Sequence, residues 1–324
     1  MNNLETTYAG LKLKNPFIVS SSGLTDSAEK NKKWEEAGAA AVVLKSLFEE
    51  EIEAETYQMS QDAHAEEMDY LALYHRAHRL QSYLNLIEET KKACSIPVIA
   101  SINCYRNADW TEFAKSIEMA GADALQLNIM SVCTDIDYSY GSFEKAHIEI
   151  LEQVKSTVNI PVVVKIGSRF TNIIPLIQQL YANGAAAVVL FNRMVSPDIN
   201  LNNLTYISGE ALGHPSDFAE VLRWTGLVSA RVPKMQLSAS GGIADGTSIV
   251  KAILVGASTV EICSALYREG ASFIADSLKF VEEWMKKNGY KSIEEFRALM
   301  NANKVGAIDT FERTQFFKNY TLRE

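Results

Sequence analysis

One stretch decides the fold: PVVVKIGSRFTNIIPLIQQLYANGAAAVVLFN, residues 161–192. It begins with a β-branched run after a proline, continues as an amphipathic segment, and ends with Gly-Ala and a second apolar run. Continuous Val, Ile and Leu runs are typical of parallel strands that are covered on both faces. Gly184, before the second run, stands where a helix ends in the left-handed conformation. The stretch therefore predicts a strand, a helix and a second, parallel strand.

The same unit occurs four times along the chain. The leading runs are at 16–22, 97–103, 161–167 and 235–242, and their partners are at 40–46, 123–129, 186–192 and 258–264. The predicted helix ends are at Gly38, Gly121, Gly184 and Gly256. Four βαβ units, with no Gly-rich dinucleotide fingerprint after the first strand, favour a closed (β/α)8 TIM barrel over an open doubly wound sheet.

The spacing of the units also predicts where extra chain is inserted. The long intervals follow strands two, four and six, which predicts lid insertions at the C-terminal face, where barrels place their chemistry. No low-complexity linker divides the chain, so a single domain over residues 1–324 is expected. The segments ASFIADSLKFVEEWMKKNGY and SIEEFRALMNANK predict amphipathic helices, and residues from about 271 to 324 are expected to pack outside the barrel.

The composition excludes several classes of function. With 47% hydrophobic residues and a formal net charge of −9, the chain is predicted to be globular and not to bind nucleic acid. MNNLETTYAGLKLKN lacks the apolar core of a signal peptide, and no apolar run approaches the ~20 residues of a membrane span. A cytoplasmic protein without a membrane partner is expected. The four scattered cysteines predict free thiols and no metal site.

Polar residues or glycines follow each predicted strand. In chain order they are Ser20, Ser21, Ser22, Lys45, Ser46, Asn103, Asn128, Lys165, Asn192, Gly241, Gly242, Cys263 and Ser264. A solvated loop explains any one of them equally well, but the whole series predicts a site at one mouth of the barrel. An unpaired buried ammonium is costly, so the two lysines indicate an anionic or electron-rich ligand.

Two further features indicate the kind of ligand. Asn128 and Asn192 each offer a donor and an acceptor, which suits the edge of a heterocycle. Gly241, Gly242 and Ser264 stand where barrels bind a phosphate through backbone N–H groups. A phosphate, a heterocycle and a lysine together describe flavin mononucleotide (FMN).

The chain resembles the FMN-dependent dihydroorotate dehydrogenases and their relatives, including the pyrimidine-reducing domain of dihydropyrimidine dehydrogenase. The resemblance runs from YAGLKLKNPF through VVLKS, PVIASI, DWTEFAK and GADALQLN to ASGGI and CSAL. It implies a dehydrogenase that acts on CH–CH groups and oxidises dihydroorotate, in pyrimidine biosynthesis, or a related heterocycle. Its implied cofactor contacts are Ser20, Ser21, Ser22, Lys45, Ser46 and Lys165 for the flavin, Asn103, Asn128 and Asn192 for the flavin or substrate edge, and Gly241, Gly242 and Ser264 for the phosphate.

The segment after strand four departs from the family pattern. Related enzymes have Asn-x-Ser-[Cys/Ser]-Pro-Asn, whereas this chain has Asn128-Ile-Met-Ser131-Val-Cys133. The resemblance places Ser131 at the catalytic base and Cys133 at the pyrimidine-binding Asn, although a Cys133 thiolate could itself act as the base if its pKa were lowered. Ser131, Cys133 or neither are the alternatives for the base, with Lys45 as the other expected catalytic residue.

A second departure follows Asn192, where the family usually has a hydroxyl residue and this chain has Arg193. Its planar guanidinium could bind a substrate carboxylate, and a surface salt bridge is the alternative. Asn128, Asn192 and Arg193 are the expected substrate contacts.

Other functions stay open at this point. One is a flavin oxidoreductase with a different substrate, and another is a flavin-free sugar-phosphate isomerase or aldolase in which Lys165 forms a Schiff base. The family resemblance implies fumarate, quinone or an iron–sulfur partner subunit as electron acceptor. We expect a small pyrimidine-like substrate, and either a homodimer or an electron-transfer partner would fit the resemblance.

Overall fold

The computed structural model describes residues 3–48, 65–103 and 110–304. Eight parallel strands of these residues form a barrel: Phe17–Val19, Ala41–Val43, Val98–Asn103, Ala124–Ile129, Val162–Ile166, Ala187–Leu190, Gln236–Ser240 and Thr259–Ile262, here barrel strands one to eight. Strand eight pairs with strand one and strand two pairs with strand three, so the ring of described strands is closed. The predicted (β/α)8 barrel is confirmed.

Helices cover the outside of the barrel. They are Ala28–Glu36, Ala65–Ala93, Trp110–Met119, Ser142–Lys155, Ile173–Ala182, Phe218–Arg231, Gly246–Leu254, Ser264–Glu269 and Ser272–Asn288. Side chains fix several starts, since Ser27, Asn172 and Asp245 accept hydrogen bonds from backbone N–H groups of the first turn. Among the described residues, no helix is both long and apolar enough to cross a membrane.

The four predicted helix ends are confirmed by their backbone conformation. Gly38, Gly121, Gly184 and Gly256 have φ values of 111°, 93°, 88° and 119°. This left-handed region is open to glycine and strained for other residues, so the glycine turns each helix back into the next parallel strand.

A short hairpin closes the amino-terminal end of the barrel. Strands Thr6–Tyr8 and Leu11–Leu13 pair antiparallel. Tyr8 and Leu13 pack with the inward-facing residues Ile18, Ile99 and Val163 in one apolar cluster. The lower half of the barrel is therefore filled with apolar side chains, and the upper half is left for polar ones.

The insertions lie where the spacing predicted them. After strand six, Pro197–Asn200 and Thr205–Ser208 form an antiparallel hairpin whose residues are almost all exposed. After strand four, residues 130–141 lead into the helix Ser142–Lys155. The insertion after strand two includes residues 49–64, which lie outside the described part of the chain.

The carboxy-terminal segment differs in part from the prediction of two helices. The first segment forms the helix Ser272–Asn288 on the outside of the barrel. The second forms a 3-10 turn at Ile293–Glu295 followed by further turns. The reason is that the N–H groups of Ala298 and Met300 donate to the carbonyls of Ile253 and Leu254, at the end of another helix. A continuous helix would have to bind its own carbonyls instead. Residues 305–324 lie outside the described chain.

Two of the helix-ending glycines form a matched pair for a stability test. A Cβ on Gly256 would overlap the side chain of Ser229, which is held by a 2.6 Å hydrogen bond to the carbonyl of Val255, whereas a Cβ on Gly121 meets nothing within 4 Å. We expect Gly121→Ala to lower the free energy of unfolding by about 1–2 kcal/mol through backbone strain alone. Gly256→Ala should cost about 1–3 kcal/mol more through overpacking. Equal losses in urea denaturation would contradict this packing.

Candidate active site

Two neighbouring cavities open at the carboxyl ends of the barrel strands. One has a volume of about 170 Å³ and is lined by Ser20, Lys165, Gly242, Glu261, Ser264 and others. The second has a volume of about 560 Å³ and is lined by residues after strands four, five, six and seven, including Ser131. Both contact Phe191, Asn192 and Gly241, so they lie side by side at the mouth.

Lys165 is a buried residue in the wall of the smaller cavity. It belongs to strand five and is 6% exposed. Its Nζ donates to Ser20 Oγ at 2.9 Å and to Glu261 Oε2 at 3.0 Å. The expected position of Lys165 beneath the mouth is therefore found together with an acidic partner that the sequence reasoning missed. The signal was present, because the apolar run of strand eight, STVEICS, contains one glutamate.

The first three strand ends are joined by a chain of hydroxyl groups. Ser21 Oγ and Ser46 Oγ lie 3.0 Å apart, and Ser46 Oγ and Ser101 Oγ lie 2.7 Å apart. The backbone N–H of Ser46 also donates to Ser21 Oγ at 2.9 Å. These bonds hold the loops after strands one and two in fixed positions. Lys45 precedes Ser46 there and is half-buried, and it is not among the described residues that line the two cavities. Ser22 Oγ is used within its own loop, where it donates to the carbonyl of Ser20.

Two of the predicted asparagines contact each other. Asn192 Nδ2 donates to Asn128 Oδ1 at 2.6 Å, and Asn192 Oδ1 accepts from the N–H of Arg193. The orientation of both amides is thus set before any ligand binds. Asn103 ends strand three beside Asn128 in the sheet register, and it is half-buried. The three amides therefore belong to one side of the mouth.

The glycine pair and Ser264 follow strands seven and eight, next to strand six and its Asn192. Gly241 and Gly242 have φ values of 112° and 67°, and a Cβ on Gly242 would overlap the backbone of Phe218. Ser264 Oγ accepts from the N–H of Gly213 at 2.8 Å, and Arg268 donates to the carbonyl of Gly213 at 2.7 Å. The loop at Gly213 is thereby fixed at the edge of the smaller cavity.

Arg193 lies at the boundary of both cavities. Its Nη1 donates to the carbonyls of Glu210 and Ala211 at 2.7 and 2.8 Å, and its Nε lies 3.6 Å from a carboxylate oxygen of Asp217. Arg193 therefore forms the surface ion pair that is the alternative to substrate binding. The guanidinium also folds the insertion after strand six back onto the mouth, and binding of a substrate carboxylate stays a prediction.

The two candidates for the base are placed differently. Ser131 is half-buried and lines the larger cavity, whereas Cys133 is exposed two residues further on. Of the two, Ser131 is the one whose side chain belongs to a cavity wall.

His147 is a second residue that the sequence reasoning missed. It lines the larger cavity from the helix after strand four, and its ring packs edge-on against Phe143 and Phe170. Burial lowers the pKa of His147, and its Nδ1 lies 2.8 Å from the carbonyl of Phe143. A neutral imidazole whose Nδ1–H donates to this carbonyl fits both observations. Among the described residues, no group of three or more His, Cys, Asp and Glu side chains is arranged to hold a metal ion.

Comparison with known proteins agrees with this arrangement. The family model for dihydroorotate dehydrogenase matches residues 3–285. The chain belongs to the dihydroorotate dehydrogenase family. It is 27% identical to the dihydroorotate dehydrogenase B (NAD(+)) catalytic subunit of Thermoplasma volcanium over 91% of this chain and 97% of the relative. It is 23% identical to the NAD-dependent dihydropyrimidine dehydrogenase subunit PreA of Escherichia coli K12, over 95% and 79%.

The predicted family is therefore confirmed, and with it the class of enzyme. Members of the dihydroorotate dehydrogenase family are oxidoreductases, and this chain is an oxidoreductase of the same type. A further relative, the dihydroorotate dehydrogenase B (NAD(+)) catalytic subunit of Methanosarcina mazei, is 26% identical over 90% of this chain and 94% of its own. The roles of the individual residues stay predictions.

The cysteines provide a test of the geometry at the mouth. Burial raises the pKa of Cys263 and raises the pKa of Cys94 to about 11, so both are mostly protonated thiols at pH 8, whereas Cys133 is exposed. We expect iodoacetamide to alkylate Cys133 at least about ten times faster than Cys94, and also faster than Cys263, since burial and a raised pKa both reduce the reactive thiolate. Peptide mapping reads each cysteine separately, including Cys104, which lies outside the described residues. Comparable rates at Cys133 and Cys263 would contradict the arrangement.

Proposed function

We propose that this chain is an FMN-dependent dehydrogenase that oxidises dihydroorotate, or a closely related dihydropyrimidine, in one domain spanning residues 1–324. The observation that carries the proposal is the meeting of three groups around adjacent cavities at one mouth: the ammonium of Lys165, the glycine pair with Ser264, and the Asn128–Asn192 pair. A cationic group and amide side chains suit the heterocycle of a ligand, and backbone N–H groups suit its phosphate.

The residues fit FMN in two respects. Gly241, Gly242 and Ser264 line the smaller cavity, which suits a phosphate bound through backbone N–H groups. Lys165, Arg193 and Arg268 line the same cavity and supply positive charge for an anionic ligand. When bound, FMN accepts a hydride from a saturated carbon of the substrate. Lys165 and Lys45 would hold the isoalloxazine ring, and Gly241, Gly242 and Ser264 would hold the phosphate.

Ser131 is the proposed base. It lines the larger cavity, into which a substrate beside the flavin would extend. A serine hydroxyl removes a proton only when another group or water accepts its own proton, and the neutral His147 lines the same cavity. Asn128 and Asn192 would bind the polar edge of the ring, with Arg193 beside them.

Relatives support a partner for electron transfer. Two of them are named as catalytic subunits of a dihydroorotate dehydrogenase that uses NAD(+), and a third is named as a subunit of a dihydropyrimidine dehydrogenase. We therefore include an electron-transfer subunit in the proposal, and the homodimer and the cytoplasmic location remain expectations.

The ion pair of Lys165 argues against the flavin-free alternative. A Schiff-base lysine must attack a carbonyl with a free amine, whereas Lys165 Nζ is held by Glu261 at 3.0 Å and by Ser20 at 2.9 Å. If the purified protein does not bind FMN, the flavin-free isomerase or aldolase is the better assignment. A different substrate on the same flavin scaffold is separated by a panel of reduced heterocycles that includes dihydrouracil.

The reaction is tested by anaerobic mixing of the FMN-loaded protein with dihydroorotate. We expect the visible flavin absorbance to bleach, and Ser131→Ala to slow the bleaching by about 10²–10⁴-fold, the usual contribution of a positioned base. Cys133→Ser is the matched control, because it changes an exposed side chain of the same loop, and its effect should be mild. Both variants should retain FMN.

Other results have distinct meanings. If Cys133→Ser is the slow variant, the base is Cys133. If the loaded parent does not bleach with dihydroorotate but does with another reduced heterocycle, the flavin assignment stands and the substrate assignment is wrong.

A further inference from the structure

Glu261 is a buried acid whose role the proposed reaction does not explain. Its side chain has no exposed surface, and it belongs to strand eight with its carboxylate inside the barrel. Oε2 accepts from Lys165 Nζ at 3.0 Å and from Ser20 Oγ at 3.3 Å. Oε1 is buried without a hydrogen-bond partner among the described residues.

Folding stability does not explain a carboxylate buried in this way. A buried ion pair rarely stabilises a protein more than apolar side chains of the same size would, and an unpartnered buried oxygen adds a further penalty. Other buried polar groups do not remove this penalty, because the amide of Gln126 and the hydroxyl of Ser238 also lack a hydrogen-bond partner in the part of the chain that the structure describes. The pair is therefore better explained by what it does at the mouth.

The pair reaches the proposed flavin site directly. Lys165 and Glu261 both line the smaller cavity, so both charges act on whatever occupies it. Below them Tyr8 packs in an apolar cluster with Ile18 and Val163, and burial, and then the charge of Glu261, raise the pKa of Tyr8. The low-polarity surroundings make the two charges act strongly over short distances.

We propose that Glu261 is a positioning residue that holds the ammonium of Lys165 in place and lowers the midpoint potential of the bound FMN. The inference rests on the proposed function. An unpaired ammonium would stabilise the extra negative charge of the reduced ring and raise its potential. A carboxylate at 3.0 Å offsets that charge, so the two-electron reduced form is stabilised less and gives its electrons more readily to an acceptor.

The test is the midpoint potential of the FMN-loaded protein, measured anaerobically against reference dyes. Glu261→Gln keeps the size of the side chain and removes its charge. At a fixed potential we expect the ratio of reduced to oxidised flavin to rise at least about tenfold, equivalent to about 30 mV for a two-electron couple. Glu261→Asp retains the charge and should stay closer to the parent. Glu152→Gln, an exposed change on the outer helix Ser142–Lys155, should leave the potential unchanged.

If Glu261→Gln fails to fold, a second pair of variants tests how the charge of Glu261 affects the midpoint potential. Lys165→Met leaves the carboxylate unpaired and should lower the potential below that of the parent. Adding Glu261→Gln to Lys165→Met should raise the ratio of reduced to oxidised flavin again, at least about tenfold at a fixed potential.

The outcomes separate the two levels of the proposal. The role of Glu261 is overturned if FMN binds and its midpoint potential is the same in the parent and in Glu261→Gln. It is also overturned if the potential is the same in Lys165→Met with and without Glu261→Gln. Either result leaves the proposed function intact. A parent protein that binds no FMN overturns both.

Discussion

A charge inside a closed barrel has to be balanced inside the barrel, and this constraint governs the upper half of the molecule. The side chains of Lys165 and Glu261 are 8% and 0% exposed, and their charged atoms lie 3.0 Å apart. Neither charge could remain there alone without a large desolvation cost. The contact joins strand five to strand eight across the interior, and Ser20 adds strand one through its bonds to both partners. Three strands are thus tied together directly beneath the mouth.

The rest of the site follows from fixing the loops above this pair. On one side, the hydroxyl chain of Ser21, Ser46 and Ser101 connects the loops after strands one and two to strand three. On the other side, Ser264 and Arg268 hold the loop at Gly213. Tightly bonded loops on a rigid ring give a site whose polar groups are in place before a ligand arrives, which is what ligand positioning requires.

Much of the fold could be predicted because its signals are local. Apolar runs and the helix-ending glycines depend on backbone conformation within a few residues, and Gly38 and Gly256 adopt the expected positive φ.

Long-range partners could not be predicted in this way. The glutamate in STVEICS is visible in the sequence, but its partner Lys165 is 96 residues away. The segment 292–304 has a helical pattern, yet the N–H groups of Ala298 and Met300 bind carbonyls at the end of the helix Gly246–Leu254. The guanidinium of Arg193 indicated a contact with a substrate carboxylate. Its carbonyl partners could not be predicted, because they lie in an irregular loop without a periodic pattern.

The central claim is that one mouth of the barrel holds a flavin through its phosphate and its ring together. Titration calorimetry of the cofactor-free protein with FMN and with riboflavin tests this directly, because riboflavin has the same ring and lacks the phosphate. We expect FMN to bind one per chain and riboflavin to bind at least about 100-fold more weakly, since two charge-assisted hydrogen bonds to a phosphate are worth about 3 kcal/mol or more. Equal affinities for the two ligands, or no binding of either, would contradict the claim.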